Sequence, residues 1–317
     1  MTADMTEIDA ALPKKFIDWF QQKGWQPHRH QLDMVAADGR GAHTLLIAPT
    51  GGGKTLAGFL PSLIDLVSNP TEGLHTLYIS PLKALAVDIQ RNLMTPVEEM
   101  GLDIRIETRT GDTPANRRQR QKENPPQILL TTPESLGLLI SQPESFILFK
   151  SLRRVILDEV HAIAGSKRGD QLALCLARLS IIAPDLRRVG LSATVAWPDD
   201  LRRYISPNAD AEEVVTVTGM GAKRADVRLL ETAVRLPWAG HYGLHAIPEI
   251  YQEIKKTETA IIFVNTRAQA ELVFQELWRA NEDALPIALH HGSLARDQRC
   301  KVEAAMADGS LRAVVAT

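Results

Sequence analysis

The sequence runs to 317 residues, which at about 150 residues per domain allows two domains, each large enough to bury a core of its own. Hydrophobic residues make up 44% and charged residues 23%, which excludes a disordered, collagen-like or coiled-coil chain. With 36 Lys and Arg against 38 Asp and Glu the net charge is -2, so any surface that binds a polyanion has to be local.

No apolar run approaches the ~18 residues of a membrane span, and the acidic first ten residues lack the apolar stretch of a signal peptide. The expectation is a cytoplasmic protein with no membrane partner. Cys175 and Cys300 are too few for a disulfide framework or a zinc site and read as inert thiols.

In chain order, short β-branched apolar runs occur at residues 44–48, 76–80, 104–108, 127–131, 154–157 and 188–191, each followed by a turn and helix-like sequence. Runs this uniformly apolar have no wet face, so they predict a parallel sheet covered by helices on both sides, a doubly wound α/β domain. Pro49, Pro81 and Pro133 cannot continue a central ladder, so the chain turns out of the sheet there, at the carboxyl edge where such folds hold ligands.

The first run leads into Ala48-Pro49-Thr50-Gly51-Gly52-Gly53-Lys54-Thr55, a phosphate-binding loop except that Ala48 stands in the place of the first glycine. Three glycines let successive N–H groups converge on phosphate oxygens, Lys54 supplies a point charge, and Thr55 offers a hydroxyl to Mg²⁺, so a nucleoside triphosphate is the natural ligand. Between Arg105 and Lys122, six basic residues stand against Glu107 and Asp112, either a polyanion-binding patch or a solvated helix face. Asp158-Glu159-Val160-His161 closes the fifth run. With a phosphate loop upstream, Asp158 can hold the metal and Glu159 can polarise a water; alone, such a pair also reads as a helix-capping turn. Thr131-Thr132-Pro133-Glu134-Ser135 and Ser192-Ala193-Thr194 place hydroxyls at strand ends, where they cap helices or touch ligands.

From residue 212 to 236 the pattern loosens into Val/Thr alternation and a charged stretch, and the domain boundary is placed there, with a first domain at 1–235 and a second at 236–317. The second alternation reads helix 243–255, strand 259–264, helix 267–281, strand 286–290, helix 295–307 and strand 311–316. It stops at Thr317 with the last strand uncovered, which reads as an incomplete domain with an exposed sheet face and edge. Trp19, Trp25, Trp197, Trp238 and Trp278 read as packing residues.

Taken together, the ordered motifs resemble superfamily 2 helicases. Residues 48–55 look like motif I, residues 80–85 like motif Ia, residues 110–112 and 132–135 like the Ib region, residues 158–161 like motif II, and 192–194 like motif III. Residues 262–267 are similar to motif IV, residues 290–294 to the next element, and 314–317 to the opening of motif V. Residues 161–169 with 190–195 are similar to the large helicase-related (Lhr) family, and the segment 25–31 with the phosphate loop to its bacterial ligase-associated DNA-damage-response members. The resemblance implies two RecA-like α/β domains, the second incomplete, in an N-terminal fragment of an ATP-dependent 3′-to-5′ DNA translocase and helicase with a DNA repair role.

By the same resemblance Gln31 reads the adenine, Asp158, Glu159 and Lys54 serve catalysis, and Thr50 to Thr55 hold the nucleotide. His161, Ser192 and Thr194 couple nucleotide to nucleic acid, while Lys83, Thr110, Thr132, Arg267 and His291 line the DNA path. The implied partners are single-stranded DNA or a 3′-tailed duplex, RNA in a hybrid, and repair proteins such as a DNA ligase, in a nucleoid-associated setting. The charge-stabilising arginines belong to motif VI, to which no residue here is assigned, so the chain is expected to bind nucleotide and hydrolyse it poorly. An RNA helicase and a non-hydrolysing nucleotide-dependent binding module are the alternative readings.

Overall fold

The computed structural model describes residues 12–49, 51–193, 195–206, 213–219, 226–234, 238 and 242–317. The chain divides into two compact units, Met1–Arg224 and Ala225–Thr317, so the division falls inside the loosened stretch 212–236.

The first unit opens with α1 (Lys14–Gln22) and α2 (Arg29–Gly39) and alternates from there: β1 (His43–Ile47), α3 (Lys54–Ser68), β2 (Thr76–Ile79), α4 (Lys83–Glu99), β3 (Ile106–Arg109) and α5 (Ala115–Glu123). It continues with β4 (Ile128–Thr131), α6 (Pro133–Ile140), α7 (Ser145–Phe149), β5 (Arg154–Leu157), α8 (Val160–Ile163), α9 (Lys167–Ile182), β6 (Arg187–Ser192), α10 (Pro198–Ile205) and β7 (Val214–Thr218). The strands form one sheet in the order β3-β4-β2-β5-β6-β1-β7, and every adjacent pair is parallel.

The central strands β2, β4 and β5 are buried at every position, as a sheet covered on both faces requires. Alternate side chains enter separate cores. Leu46, Tyr78, Leu130 and Ile156 pack on one face with Met34, Phe59 and Leu63, while Leu45, Leu77, Leu129 and Val155 pack on the other with Leu136, Leu172 and Leu176. Strands β1, β2 and β4 stop two residues ahead of Pro49, Pro81 and Pro133. β7 is a strand the sequence reading passed over: the Val/Thr alternation before the boundary pairs with β1, His43 opposite Val214, and Val214 and Val217 are buried in opposite cores while Thr216 and Thr218 stay exposed at the edge.

The tryptophans need correction. Trp19 is buried against Phe20, with Trp25 edge-on to it at 5.8 Å, but Trp25, Trp197, Trp238 and Trp278 are all exposed. Cys175 is buried and Cys300 exposed. Among the described residues no helix is long and apolar enough to cross a membrane.

At the amino edge of the sheet Arg154, 1% exposed, opens β5. Its Nε donates to Asp38 Oδ1 at 2.7 Å, its Nη2 to Asp38 Oδ2, and its Nη1 to Asp65 Oδ2 at 2.9 Å. His75 Nε2 meets the same Asp65 oxygen at 3.1 Å, and burial together with the Arg154 charge pushes its imidazole pKa down. A cleft of about 970 Å³ opens beside this network, on the side away from the motif loops. Burial alone would push the Asp65 carboxyl up, but hydrogen bonds from Asn69 and Arg154 and the Arg154 charge hold it at about 2. A carboxyl whose folded pKa is depressed contributes stability above its ordinary 3.8, and loses it as pH falls toward about 2. Asp65→Asn should therefore flatten the acid limb of the urea midpoint against pH over that window; an unchanged limb would show that Asp65 is not its source.

The second unit holds a 3-10 turn at Leu244–Ala246, then α11 (Ile247–Lys256), β8 (Ala260–Phe263), α12 (Arg267–Arg279), β9 (Ile287–His290), α13 (Arg296–Ala307) and β10 (Ala313–Ala316). Its parallel sheet runs β8-β10-β9 over a core of Ile247, Tyr251, Ile254, Val273, Leu277 and Val315. Ile261 and Phe263 of β8 face outward and stay exposed.

Candidate functional site

Because the seven strands of the first unit run parallel, the loops leaving their carboxyl ends emerge along one edge. In sheet order these are Thr110 after β3, Thr132 after β4, Lys83 after β2, Asp158 and Glu159 after β5, Ser192 closing β6, and the glycine loop after β1.

In that loop Gly51 and Gly53 both sit at φ +77°, a conformation that side chains resist, so the loop depends on glycine there. A Cβ on Gly53 would stand 3.1 Å from Gln31 Nε2, and one on Gly52 3.0 Å from the Pro49 carbonyl oxygen. Gly53 caps α3, so the orphan N–H groups and positive dipole end of a 15-residue helix face the loop. Lys54 opens that helix buried, and its Nζ has no hydrogen-bond partner; its ion pair with Glu159 Oε1 is loose at 3.6 Å. A buried ammonium without hydrogen bonds is costly unless an anion completes it. Thr55 follows half-buried, and Thr50 lies outside the described residues. Ala48 is tolerated in place of a glycine because it turns inward: its N–H donates to Ser192 O at 3.1 Å, and its methyl carbon lies 2.4 Å from where Gly219 would carry a Cβ.

Gln31 is buried in the first turn of α2, its Oε1 accepting the His28 N–H at 2.8 Å, while its Nε2 lies beside Gly53. The His28 ring stacks on buried His30, centroids 5.3 Å apart, and lies alongside the same glycine. Burial and then the neighbouring His28 charge lower the His30 pKa. The sequence reading singled out Gln31 and missed this pair; two histidines spaced two residues apart, just ahead of a motif glutamine, were the available signal.

Asp158 is buried at the end of β5, with Oδ1 accepting the Glu159 N–H at 2.9 Å and Oδ2 accepting the Tyr78 hydroxyl. Burial raises its pKa, the Tyr78 hydrogen bond opposes this, and the Glu159 carboxylate adds to the rise. Tyr78, also missed, stands out as the one aromatic in β2, and burial and Asp158 push its own pKa up. Glu159 sits at φ 48°, a left-handed conformation rarely held by such a residue. Its carboxylate reaches two ways, Oε1 to Lys54 and Oε2 to His161 Nε2 at 3.3 Å, and His161 Nδ1 meets Ser192 Oγ at 3.0 Å. Lys54, Glu159, His161 and Ser192 thus form one polar chain from the glycine loop to β6. Thr194 lies outside the described residues.

On the other half of the edge Thr132 caps α6, its Oγ1 accepting the Ser135 N–H at 3.4 Å. Thr110 is buried, its N–H donating to Thr113 Oγ1 at 2.9 Å. The Lys83 side chain is outside the described set. Arg168 ties neighbouring loops together, bonding Glu134 Oε1 at 2.5 Å and the Pro81 carbonyl at 2.9 Å. In the second unit Arg267 Nη1 donates to Ser293 Oγ at 2.6 Å, and buried His291 accepts the Ser293 N–H on Nδ1 at 3.2 Å while Nε2 meets Glu271 at 2.9 Å. The structure brings Gln31, the glycines, Lys54, Asp158, Glu159, His161 and Ser192 together in the first unit, and Arg267 with His291 in the second.

The residues present fit a triphosphate, through a Lys54 ammonium that has no hydrogen bond and only the loose Glu159 ion pair, and through a cradle that Cβ atoms would obstruct. Among the described residues no group of three His, Cys, Asp or Glu could hold a metal ion; Asp158 and Thr55 are the oxygen-bearing residues beside the loop that could take part in holding Mg²⁺. A glycine loop after β1 facing an acidic pair after β5, with β6 between them, defines a RecA-like nucleotide-binding domain.

The DEAD/DEAH box helicase family matches residues 28–201, and the helicase conserved C-terminal domain matches residues 243–317. The chain is 37% identical to the Lhr helicase/probable uracil glycosylase of Mycolicibacterium smegmatis, over 95% of this chain and 23% of that protein, and 34% identical to the Lhr helicase/uracil glycosylase of Escherichia coli, over 99% and 25%. It is similar to the solved Mycobacterium smegmatis helicase Lhr bound to ssDNA and AMP-PNP, with TM-score 0.79 and 38% identity over 96% of this chain and 41% of that one. The chain belongs to the DEAD/DEAH-box superfamily 2 helicases and, among them, to the Lhr family. It spans about a quarter of the length of the two bacterial relatives.

Proposed function

We propose that this chain carries the ATP-binding domain and part of the second domain of an ATP-dependent DNA helicase that acts in DNA repair. The Lys54–Glu159–His161–Ser192 chain is the observation that supports it most, because it ties the phosphate cradle after β1 to the acidic pair after β5 and to the end of β6 between them. Gln31 contacts the base, the Gly51–Gly53 amides and Lys54 hold the phosphates, and Asp158 and Thr55 would hold Mg²⁺, which would offset phosphate charge. Glu159 orients and deprotonates the attacking water, and the two ends of His161 relay the state of Glu159 to Ser192. Lys83, Thr110, Thr132, Arg267 and His291 contact strand phosphates, giving grip without sequence preference. Single-stranded DNA as ligand is supported by the similar Lhr structure, which holds it together with AMP-PNP. A DNA ligase is the proposed protein partner, by resemblance to the ligase-associated members.

Lys54→Ala tests the cradle. Removing a charged hydrogen-bond donor worth about 1.5–3 kcal/mol should weaken triphosphate binding by roughly 10- to 100-fold in calorimetry. Without nucleotide the same change should leave the melting temperature level or raised, because it removes an unsatisfied buried ammonium. Unchanged affinity would exclude the assignment. Stimulation of turnover by single-stranded DNA but not by RNA separates the DNA helicase from an RNA helicase.

A further inference from the structure

The basic segment 105–122 is not used by the nucleotide site. It forms β3, the outermost strand on the nucleic-acid half of the sheet, and α5, which runs back along it. Glu107, in β3, is the organising group. Its Oε2 accepts Arg117 Nε at 3.2 Å and Gln121 Nε2 at 2.8 Å, and both its oxygens accept Arg120 Nη2 at 3.0 and 3.1 Å. Burial works against the Glu107 charge, yet the Gln121, Arg117 and Arg120 hydrogen bonds hold its pKa down, so it stays an anion. One carboxylate cannot balance two guanidiniums. Arg118 adds a third, spending Nη2 on the Gly111 and Thr110 carbonyls at 2.7 and 3.4 Å, partners that carry no charge.

The result is a row of pre-aimed guanidiniums with donors to spare, which differs from a solvated helix face in that each is anchored on one side. Planar, anchored guanidiniums suit phosphate oxygens better than mobile ammoniums do. Their position decides the partner. Thr132 and Thr110 end adjacent strands, and Arg118 grips the loop immediately beyond Thr110, so a strand following that edge is delivered to α5.

We propose that Arg117, Arg118 and Arg120 bind backbone phosphates of the same single nucleic-acid strand where it runs past β3, extending its track beyond the motif loops. This rests on the nucleic-acid reading above. The test compares two single-stranded oligonucleotides of one composition, about 8 and about 16 nucleotides long, across a salt series. Lengthening should steepen log K against log salt by about 0.7 for each added phosphate contact. Arg117→Ala with Arg120→Ala should remove about 1.4 of that slope for the long strand and nothing for the short one. Arg117→Lys with Arg120→Lys should keep most of it. Because the alanine pair strands Glu107, the same measurement on Arg117→Ala/Arg120→Ala/Glu107→Gln guards against a folding defect and should give the same loss. Equal slopes for the original chain and the alanine pair on the long strand, or equal losses on both strands, overturn the proposal while leaving the nucleic-acid reading intact. Failure of the unsubstituted chain to bind either strand overturns both.

Discussion

Glu159→Gln is expected to lower ATP turnover by ~10² to 10⁴ while leaving nucleotide affinity unchanged or tighter. The amide keeps the shape of the carboxylate and loses its ability to take a proton. It also loses its charge, and that charge lies 3.6 Å from the Lys54 ammonium and 3.3 Å from His161 Nε2. With the competing carboxylate neutralised, Lys54 meets a triphosphate without first leaving an ion pair, so binding should not suffer. Affinity can be measured by calorimetry and turnover by phosphate release. The two readouts separate Glu159 from Lys54, whose loss should act on affinity first. A fall in turnover below about tenfold would remove Glu159 from the role of base. The left-handed backbone at this residue gives a second expectation: Glu159→Gly, which relieves the strain but removes the carboxylate, should turn over no faster than Glu159→Gln.

The parts of the fold legible in the sequence are those that local chemistry dictates. Uniformly apolar runs identified six of the seven strands in the first sheet and all three in the second, to within two residues at each end, because strands covered on both faces leave no polar alternation to confuse the pattern. The prolines at 49, 81 and 133 marked where three of them leave the sheet. β7 was lost for the converse reason, since five residues with two exposed threonines look like any Val/Thr-rich connection until a partner strand is known. The glycine loop and the Asp158-Glu159 pair could be placed at the ends of β1 and β5 because each directly follows an apolar run. Tyr78 was not legible, because it reaches the site by tertiary packing alone, from a position 80 residues from Asp158, whereas the His28–His30 pair sits beside Gln31 in sequence and was passed over. The exposed tryptophans failed for a related reason: a large aromatic favours burial on average, and nothing local tells which one is left outside. Least legible of all was Arg154. An arginine opening a strand suggests a solvent-facing start, and its two carboxylate partners lie 116 and 89 residues away in sequence.

That arginine carries the largest stability effect expected of any single residue in the first unit. Arg154→Met should lower stability by about 3–5 kcal/mol, the usual cost of leaving a buried ion-pair partner uncompensated and a large part of the 5–15 kcal/mol that typically separates folded from unfolded. Asp38 and Asp65 are side chains of α2 and α3, so Arg154 fastens both helices to β5 at the amino edge. Arg187 keeps a hold on Asp38 at 3.1 Å, but no second guanidinium is paired with Asp65 among the described residues. The cost arises from the stranded carboxylates rather than from the lost arginine. Adding Asp38→Asn and Asp65→Asn to Arg154→Met should therefore recover most of it, even though the triple variant has fewer ionic contacts than the single one. The effect should also reach the nucleotide. α2 carries Asp38 near its last turn and Gln31, beside Gly53, in its first, so loosening one end of the helix removes the fixed placement of the other. The single variant should bind triphosphate more weakly than the original chain under conditions where both are folded, and the triple variant should regain affinity along with stability. A urea midpoint at neutral pH and a nucleotide titration on the same three proteins decide it. A loss under about 1 kcal/mol for Arg154→Met, or recovery of stability without recovery of affinity, would mean that the network does not position the nucleotide end of α2.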